Sequence, residues 1–192
     1  MAPEVAAPGE ADRLVELTSI GGGHAADALA ALTGETRLMT VPTIGARGEP
    51  PPGSHLTGSR RGALGEPISG VFFEIRGALR GSVAVLLPRP SRDRILERLT
   101  GRPSPSVDDP EVASALRELG NILASHVVTA MADTLGEAIV LSTPALATRD
   151  AVAVLAALIA LREPDGPALR IETAIATRTG DPEAILVFLP VF

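Results

Sequence analysis

The hydrophobic and polar positions of this chain divide it into two similar series of elements. Apolar residues three and four apart predict a long helix over about residues 10–32 and a second over 110–134. Shorter apolar segments bounded by Gly and Pro follow each helix and predict a strand and then a hairpin. We therefore predict an α/β protein of the α+β type, with a mostly antiparallel sheet covered by helices.

Turn and capping residues give the boundaries of these elements. Asp109 and Pro110 suit the N-cap and first position of the second long helix, and Ser91 suits the N-cap of a short helix ending near Leu99. Another apolar stretch predicts a helix over residues 149–162. The predicted strands span residues 37–41, 71–75, 82–87, 138–142, 171–177 and 184–190.

Two segments interrupt the regular patterns. Residues 43–69 are rich in Gly, Pro, Ser and Arg, and they predict a mobile surface loop. Gly21, Gly22 and Gly23 lie within the first helical pattern, where each costs about 1 kcal/mol relative to Ala. Either the helix bends there or a neighbouring backbone comes close.

The two series are copies of each other. Residues 8–42 recur without a gap as residues 110–144, with 12 identities in 35 positions, where this composition would give about three by chance. The same register continues into the last hairpin of each series. We expect one domain over residues 1–192, built from half-repeats at about 8–90 and 110–190 that are related by a pseudo-two-fold axis.

Composition excludes several classes of function. The net charge of −6, the pI near 5.1 and the absence of Trp and Tyr argue against binding to nucleic acid. The chain has no Cys and no Lys, which excludes disulfides, thiolate metal sites and a Schiff-base lysine. Its longest apolar stretch, residues 151–161, is too short for a membrane span, and the N-terminus lacks a signal-peptide pattern. We expect a soluble, cytoplasmic protein.

Polar residues at helical spacing form a narrow stripe on each long helix. Ser114, Glu118 and Asn121 lie at about 0°, 40° and −20° around the helix axis, opposite its apolar face. Asp12, Glu16 and Ser19 have the same spacing in the first copy; they form the equivalent stripe. A solvated helix face is the ordinary explanation of such residues. Retention of Glu in both copies, and an Asn within a helix, instead favour an interaction surface.

The stripe also resembles a known motif. The CheC/CheX/FliY family of chemotaxis phosphatases carries Asp or Ser, then Glu, Asn and Pro at fixed spacing, which Ser114, Glu118, Asn121 and Pro144 satisfy. In the first copy Asp12, Glu16 and Pro42 satisfy it, whereas Ser19 replaces the Asn. The segments ELTSIGGGHAADALA and ELGNILASHVVTAMA resemble the two signatures of that family, and the resemblance extends over the whole chain.

The resemblance implies a phosphatase that hydrolyses the phospho-aspartate of a CheY-like response regulator. Asn121 would orient the attacking water and Glu118 would pair with a lysine of the regulator, while Ser114 would cap or orient the pair. Pro144 would have a structural role at a strand end. The chain itself would bind no metal or cofactor, because Mg²⁺ is expected on the regulator. The 12–42 site would be degenerate.

A binding module is the alternative. CheC-like proteins bind the deamidase CheD, and the related middle domain of the flagellar-switch protein FliM has the fold without the catalytic residues. Ser19 keeps this alternative open, and Glu118 with Asn121 favours the enzyme. His24 and His126 occupy equivalent positions, but no carboxylate or second His lies four residues from either, so we expect them to be structural and half-buried.

Overall fold

The computed structural model describes residues 9–45, 49–56, 67–103, 106–161 and 169–191. These residues form four helices and eight strands. The helices are α1 (Glu10–Thr33), α2 (Arg89–Thr100), α3 (Pro110–Leu135) and α4 (Ala151–Ala160). The strands are β1 (Leu38–Met39), β2 (Thr43–Gly45), β3 (Ile68–Gly77), β4 (Gly81–Pro88), β5 (Ile139–Leu141), β6 (Ala145–Ala147), β7 (Arg170–Ala176) and β8 (Pro182–Pro190). The predicted fold class is confirmed.

The strand order of the sheet reflects the sequence repeat. The order is β1-β7-β8-β4-β3-β5, with β2 also pairing with β7 and β6 with β3. All of these pairs are antiparallel. A shift of 102 residues relates β1 to β5, β7 to β3 and β8 to β4, so the order reads the same from either edge. The pseudo-two-fold axis therefore passes between β4 and β8.

The two halves are interleaved. The short strands β1 and β2 of the first half pair with β7 of the second, and β5 and β6 pair with β3 of the first. Each long helix also packs on a strand of the opposite half. In α1, Gly22 approaches Thr173 of β7, and in α3, Gly120 approaches Val71 of β3. Each half therefore covers the hairpin of the other, and the repeat boundary does not separate two packing units.

Helices cover both faces of the sheet. On one face, α1, α2 and α3 pack over a core that includes Leu29, Ile95, Leu123 and Phe73. On the other face, α4 packs over a second core that includes Phe72. Every side chain from Gly81 to Pro88 in β4 is buried, as expected for a central strand covered on both faces.

The glycine triplet allows the two long helices to approach closely. Helix α1 is continuous through these residues, so the predicted bend is absent and the close approach is confirmed. A Cβ added to Gly21 would lie 2.8 Å from the carbonyl oxygen of Val127 in α3. One added to Gly22 would lie 2.5 Å from Sδ of Met39. A larger residue at Gly21 would push α1 away from α3, whereas one at Gly22 would require the Met39 side chain to move.

The predicted mobile loop at 43–69 is wrong where the structure describes it. Residues 43–45 form β2, and residues 68–69 belong to β3. Between them, Leu56 is buried in the second core and the Ser54 hydroxyl donates a 2.6 Å hydrogen bond to Glu172. These contacts hold the segment against the sheet. The remainder of this prediction, residues 46–48 and 57–66, lies outside the described residues.

Two shorter helices differ from the prediction at their N-termini. Helix α2 begins at Arg89 with Pro88 as its N-cap, so Ser91 is not the cap. The Ser91 hydroxyl instead donates a 3.0 Å hydrogen bond to the carbonyl of Pro182, which ties α2 to β8. Helix α4 spans Ala151–Ala160, with Asp150 as its N-cap. No helix within the described ranges is long and apolar enough to cross a bilayer.

Two buried ion pairs lie inside the fold, and one of them joins segments that are distant in sequence. Arg37 pairs with Glu183 at the start of β8, and both side chains are buried. Arg37 also donates a 3.0 Å hydrogen bond to the exposed carboxylate of Glu35, and this hydrogen bond lowers the pKa of Glu35. Arg170 and Glu172 form a second buried pair within β7. Both pairs place charges inside the fold, where loss of one partner would leave the other charge buried and unpaired.

Candidate functional site

Helix α3 carries the polar stripe of the second copy. The Asp109 side chain accepts a 2.9 Å hydrogen bond from the backbone N–H of Glu111, and Pro110 is the first helical residue, as predicted. The helix ends at Gly136, whose φ of 70° is in the left-handed region that suits glycine. The stripe therefore lies in the interior of a regular helix that is fixed at both ends.

The stripe faces away from the core. Ser114 and Glu118 are exposed and Asn121 is partly buried, whereas Leu119 and Leu123 on the opposite side are buried. Among the residues that the structure describes, neither Glu118 nor Asn121 has a side-chain hydrogen bond or ion pair. A carboxylate and a carboxamide on a rigid helix are thus available to a partner molecule.

Ser114 is the first residue of the stripe on α3, and its role in capping or orienting Glu118 and Asn121 stays a prediction. The N-cap of α3 is Asp109, five residues earlier. Within the described part of the chain, the Ser114 hydroxyl makes no hydrogen bond with Glu118 or Asn121. It lies one turn before Glu118 on the same exposed face, so it adds polar surface at the end of the stripe.

A glycine that the sequence analysis missed sets the orientation of the stripe. A Cβ added to Gly120 would lie 2.5 Å from Cβ of Val71, so α3 rests directly on β3 at this turn. Glu118 and Asn121 flank Gly120 and are directed away from this contact. The sequence signal that could have indicated this contact is the glycine itself. A glycine inside a helical pattern usually has a packing role.

Pro144 lies beside the same turn of the helix. It is partly buried between β5 and β6, and Leu146, two residues later, is the cross-strand partner of Val71. Because Gly120 rests on Val71, the chain at Pro144 runs next to the part of α3 that carries Asn121. The fold thus brings Glu118, Asn121 and Pro144 into one region.

The first copy repeats this arrangement without the amide. Asp12 and Glu16 are exposed, Ser19 is partly buried, and Pro42 is buried just before β2. The N-cap of α1 is Gly9, which makes no side-chain capping hydrogen bond, in contrast to Asp109. The first stripe therefore keeps exposed carboxylates, but it presents a hydroxyl where the second presents a carboxamide.

The prediction of half-buried histidines is wrong. His24 and His126 are both exposed, at a groove between α1 and α3. The same groove is lined by small residues such as Ala28 and Ala31. The described residues contain no group of three or more metal-ligating side chains.

Comparison with known proteins supports the relationship that the motif indicated. Residues 111–147, which contain Glu118, Asn121 and Pro144, match the model of the CheC-like family. The resemblance to the CheC-like family is confirmed. The chain is 33% identical over 126 residues to the CheY-P phosphatase CheC of Bacillus subtilis (strain 168), a match covering 64% of this chain and 58% of that protein. The chain thus spans less than two thirds of that relative.

Solved structures of CheC-like and CheX proteins share the fold of this chain. A CheC-like superfamily protein from Shewanella sp. PV-4 superposes with a TM-score of 0.63 at 12% identity, covering 93% of this chain and 99% of that one. The CheX chain of a CheX–CheY–BeF₃–Mg²⁺ complex from Borrelia burgdorferi superposes with a TM-score of 0.59 at 15% identity. That match covers 91% of this chain and 98% of the other. At these identities the likeness concerns the fold.

Proposed function

We propose that this chain is a phosphatase acting on the phospho-aspartate of a CheY-type response regulator, in chemotaxis or related two-component signalling. The observation that carries the proposal is the pair Glu118 and Asn121, which face solvent without partners among the described residues on a helix held against the sheet. The name of the Bacillus subtilis relative, CheY-P phosphatase, and the CheY bound to CheX in the Borrelia structure support it. A cytoplasmic location is part of the proposal.

The reaction requires little covalent chemistry from the enzyme. Water attacks the phosphorus atom in line with the bond to the aspartate, that bond breaks, and its electron pair returns to the carboxylate. Inorganic phosphate and a proton leave. Positioning of the nucleophile and neutralisation of charge dominate catalysis of phosphoryl transfer. In the proposal, the regulator supplies the neutralising charge through its own Mg²⁺ and lysine, so this chain needs no metal of its own.

Asn121 would position the water. Its carboxamide offers an acceptor oxygen for a water hydrogen and N–H donors for a phosphoryl oxygen. It has no titratable group in the useful pH range, so it contributes alignment instead of general base catalysis. A regular helix is a suitable support, because errors of about 1 Å in such a group can cost about 100-fold in rate.

Glu118 would anchor the regulator. It lies three residues before Asn121 on the same face, so a cation of the regulator that pairs with Glu118 brings the acyl phosphate towards the amide. The absence of a competing arginine contact among the described residues leaves this carboxylate available.

A binding role is the second candidate, and Ser19 favours it for the first copy. Glu16 is exposed and could dock a regulator there, but the Ser19 hydroxyl is shorter than a carboxamide and lacks its donor–acceptor pair. The 12–42 surface could then bind without turnover, either a regulator or another partner such as a CheD-like deamidase or a flagellar-switch protein.

The test is release of phosphate from a receiver domain phosphorylated in the presence of Mg²⁺. We expect the wild-type chain to accelerate release and Asn121→Ala to lower the rate by about 10²–10³. Thr129→Ala, an exposed substitution two turns later on α3, is the matched control and should keep full activity. Unfolding of all three proteins in urea should be similar. Wild-type activity in Asn121→Ala would remove Asn121 from the reaction.

A further inference from the structure

An apolar groove of about 390 Å³ runs between α1 and α3 on the outer surface of the protein. We call it the α1–α3 groove. Ala28, Ala31 and Leu32 of α1 and Ile122 of α3 form its apolar lining, and Asp27 lies at its rim. His24 and His126 lie at one end.

The α1–α3 groove adjoins the candidate site on α3. Ile122 follows Asn121 in the chain and lies one turn after Glu118 on α3. A specific protein interface covers about 800 Å² on each partner, far more than the surface of two side chains. A protein whose reacting group reaches Asn121 therefore also contacts the surface beside it, and the groove is the adjoining apolar part of that surface.

The equivalent surface beside the first copy is polar. A shift of 102 residues converts Ala31 to Asp133 and Leu32 to Thr134, and both of these residues are exposed on α3. A partner that buries an apolar side chain against Ala31 and Leu32 would have to desolvate a carboxylate at Asp133, which is costly without a counter-charge. The two halves thus differ in two respects. Only the second has an amide, at Asn121, and only the surface beside the second is apolar.

The charges around the groove indicate the charge of the partner surface. Asp27 lines the groove on α1, and Glu118 lies one turn before Ile122 on α3, so each helix places an acidic residue at or next to the apolar strip. A complementary surface has an apolar side chain with basic groups beside it, since opposite charges at an interface favour both encounter and register.

We infer that the α1–α3 groove is the docking surface for the part of the receiver domain that flanks its phospho-aspartate. An apolar side chain of the receiver occupies the strip formed by Ala31, Leu32 and Ile122, and neighbouring cations face Asp27 and Glu118. This inference rests on the proposed function. The C-terminal half of α1 thereby serves the site on α3, which gives the first copy a role although its own stripe lacks the amide.

Two reciprocal substitutions test the inference. Ala31→Asp gives the groove the residue that the other half has, and Asp133→Ala is the matched control at the equivalent position. We expect Ala31→Asp to raise KM for the phosphorylated receiver by about tenfold or more, through desolvation of the new carboxylate, with kcat within about twofold. Asp133→Ala should change neither constant. Both positions are exposed, so thermal unfolding should be close to wild type in each variant.

A binding measurement separates this inference from the proposed function. Receiver loaded with BeF₃⁻ and Mg²⁺ is titrated into wild type, Ala31→Asp and Asp133→Ala. Weaker binding in Ala31→Asp alone supports the docking surface, even when wild type releases no phosphate and the proposed activity fails. Equal binding of the three proteins, or no binding by any, overturns it. Sedimentation that shows a wild-type dimer dissociated by Ala31→Asp also overturns it, because the occupant is then a second copy of this chain.

Discussion

Gly120 of α3 lies directly over Val71 of β3. A Cβ added to Gly120 would be 2.5 Å from Cβ and 2.6 Å from Cγ2 of Val71, distances that packed atoms do not adopt. The turn of α3 that carries Glu118 and Asn121 therefore packs directly on the sheet. Because only glycine fits at this contact, the face of α3 that meets β3 is fixed, and so is the direction of the stripe.

Gly120→Ala should move the site as well as destabilise the fold. Overpacking of this kind costs about 1–3 kcal/mol, which the better helix propensity of Ala offsets by about 1 kcal/mol. We expect a lower free energy of unfolding in urea and a slower phosphate release. Gly23→Ala is the control, because no described atom beyond its chain neighbours and the adjacent backbone of α1 lies within 4 Å of its added Cβ. That variant should be neutral or more stable, and equal behaviour of the two variants would contradict the positioning role of Gly120.

The long helices were predictable because their signals are local. Asp109, Pro110 and Gly136 mark the ends of α3 in the sequence itself, and the 3.6-residue period gives the direction of its polar stripe. The repeat also indicated a pseudo-two-fold arrangement, which the palindromic strand order shows. The motif residues could be placed on one exposed face for the same reason.

The interleaving of the halves was not predictable from the same patterns. Strands β2 and β6 have three residues each, too few to show alternation, and they pair with residues more than seventy positions away. The burial of Leu56 likewise depends on the sheet that forms beneath it. The role of Gly120 depends on which face of α3 meets β3. That is a property of tertiary packing, and the hydrophobic periodicity of one helix does not reveal it.

Glu118→Lys should impair engagement of the regulator more than Glu118→Ala does. The proposed partner of Glu118 is a cation, so removal of the carboxylate loses an attraction and reversal adds a repulsion. We expect kcat/KM for phosphorylated receiver to fall by about tenfold in the alanine variant and further in the lysine variant. Steady-state phosphate release measures both, with Glu111→Lys in the first turn of α3 as the control. An unchanged kcat/KM in Glu118→Lys would remove the ion-pair role.

The buried pair of Arg170 and Glu172 predicts a non-additive effect on stability. Arg170→Ala leaves the Glu172 carboxylate buried with the Ser54 hydroxyl as its remaining hydrogen-bond partner in the described contacts. Removal of one partner of such a pair costs about 3–5 kcal/mol. Replacement of both residues by Met should cost less, because no unpaired charge remains. Urea unfolding of the single and double variants checks this, and equal losses would show that packing dominates over charge.

Ser19→Asn tests whether the first copy lost only its amide. Ser19 lies on the same face of α1 as Glu16, in the position that Asn121 has on α3. If the docking geometry is intact there, the substitution should raise phosphate release above wild type, and it should restore part of the rate in the Asn121→Ala background. The recovery should be incomplete, because Asp133 and Thr134 replace the apolar residues Ala31 and Leu32 beside the site. Adding Asp133→Ala to the double variant should then increase the recovery. No gain in any of these backgrounds would mean that the first stripe cannot engage a phosphorylated receiver, and the 12–42 surface would then be a binding surface for a different partner.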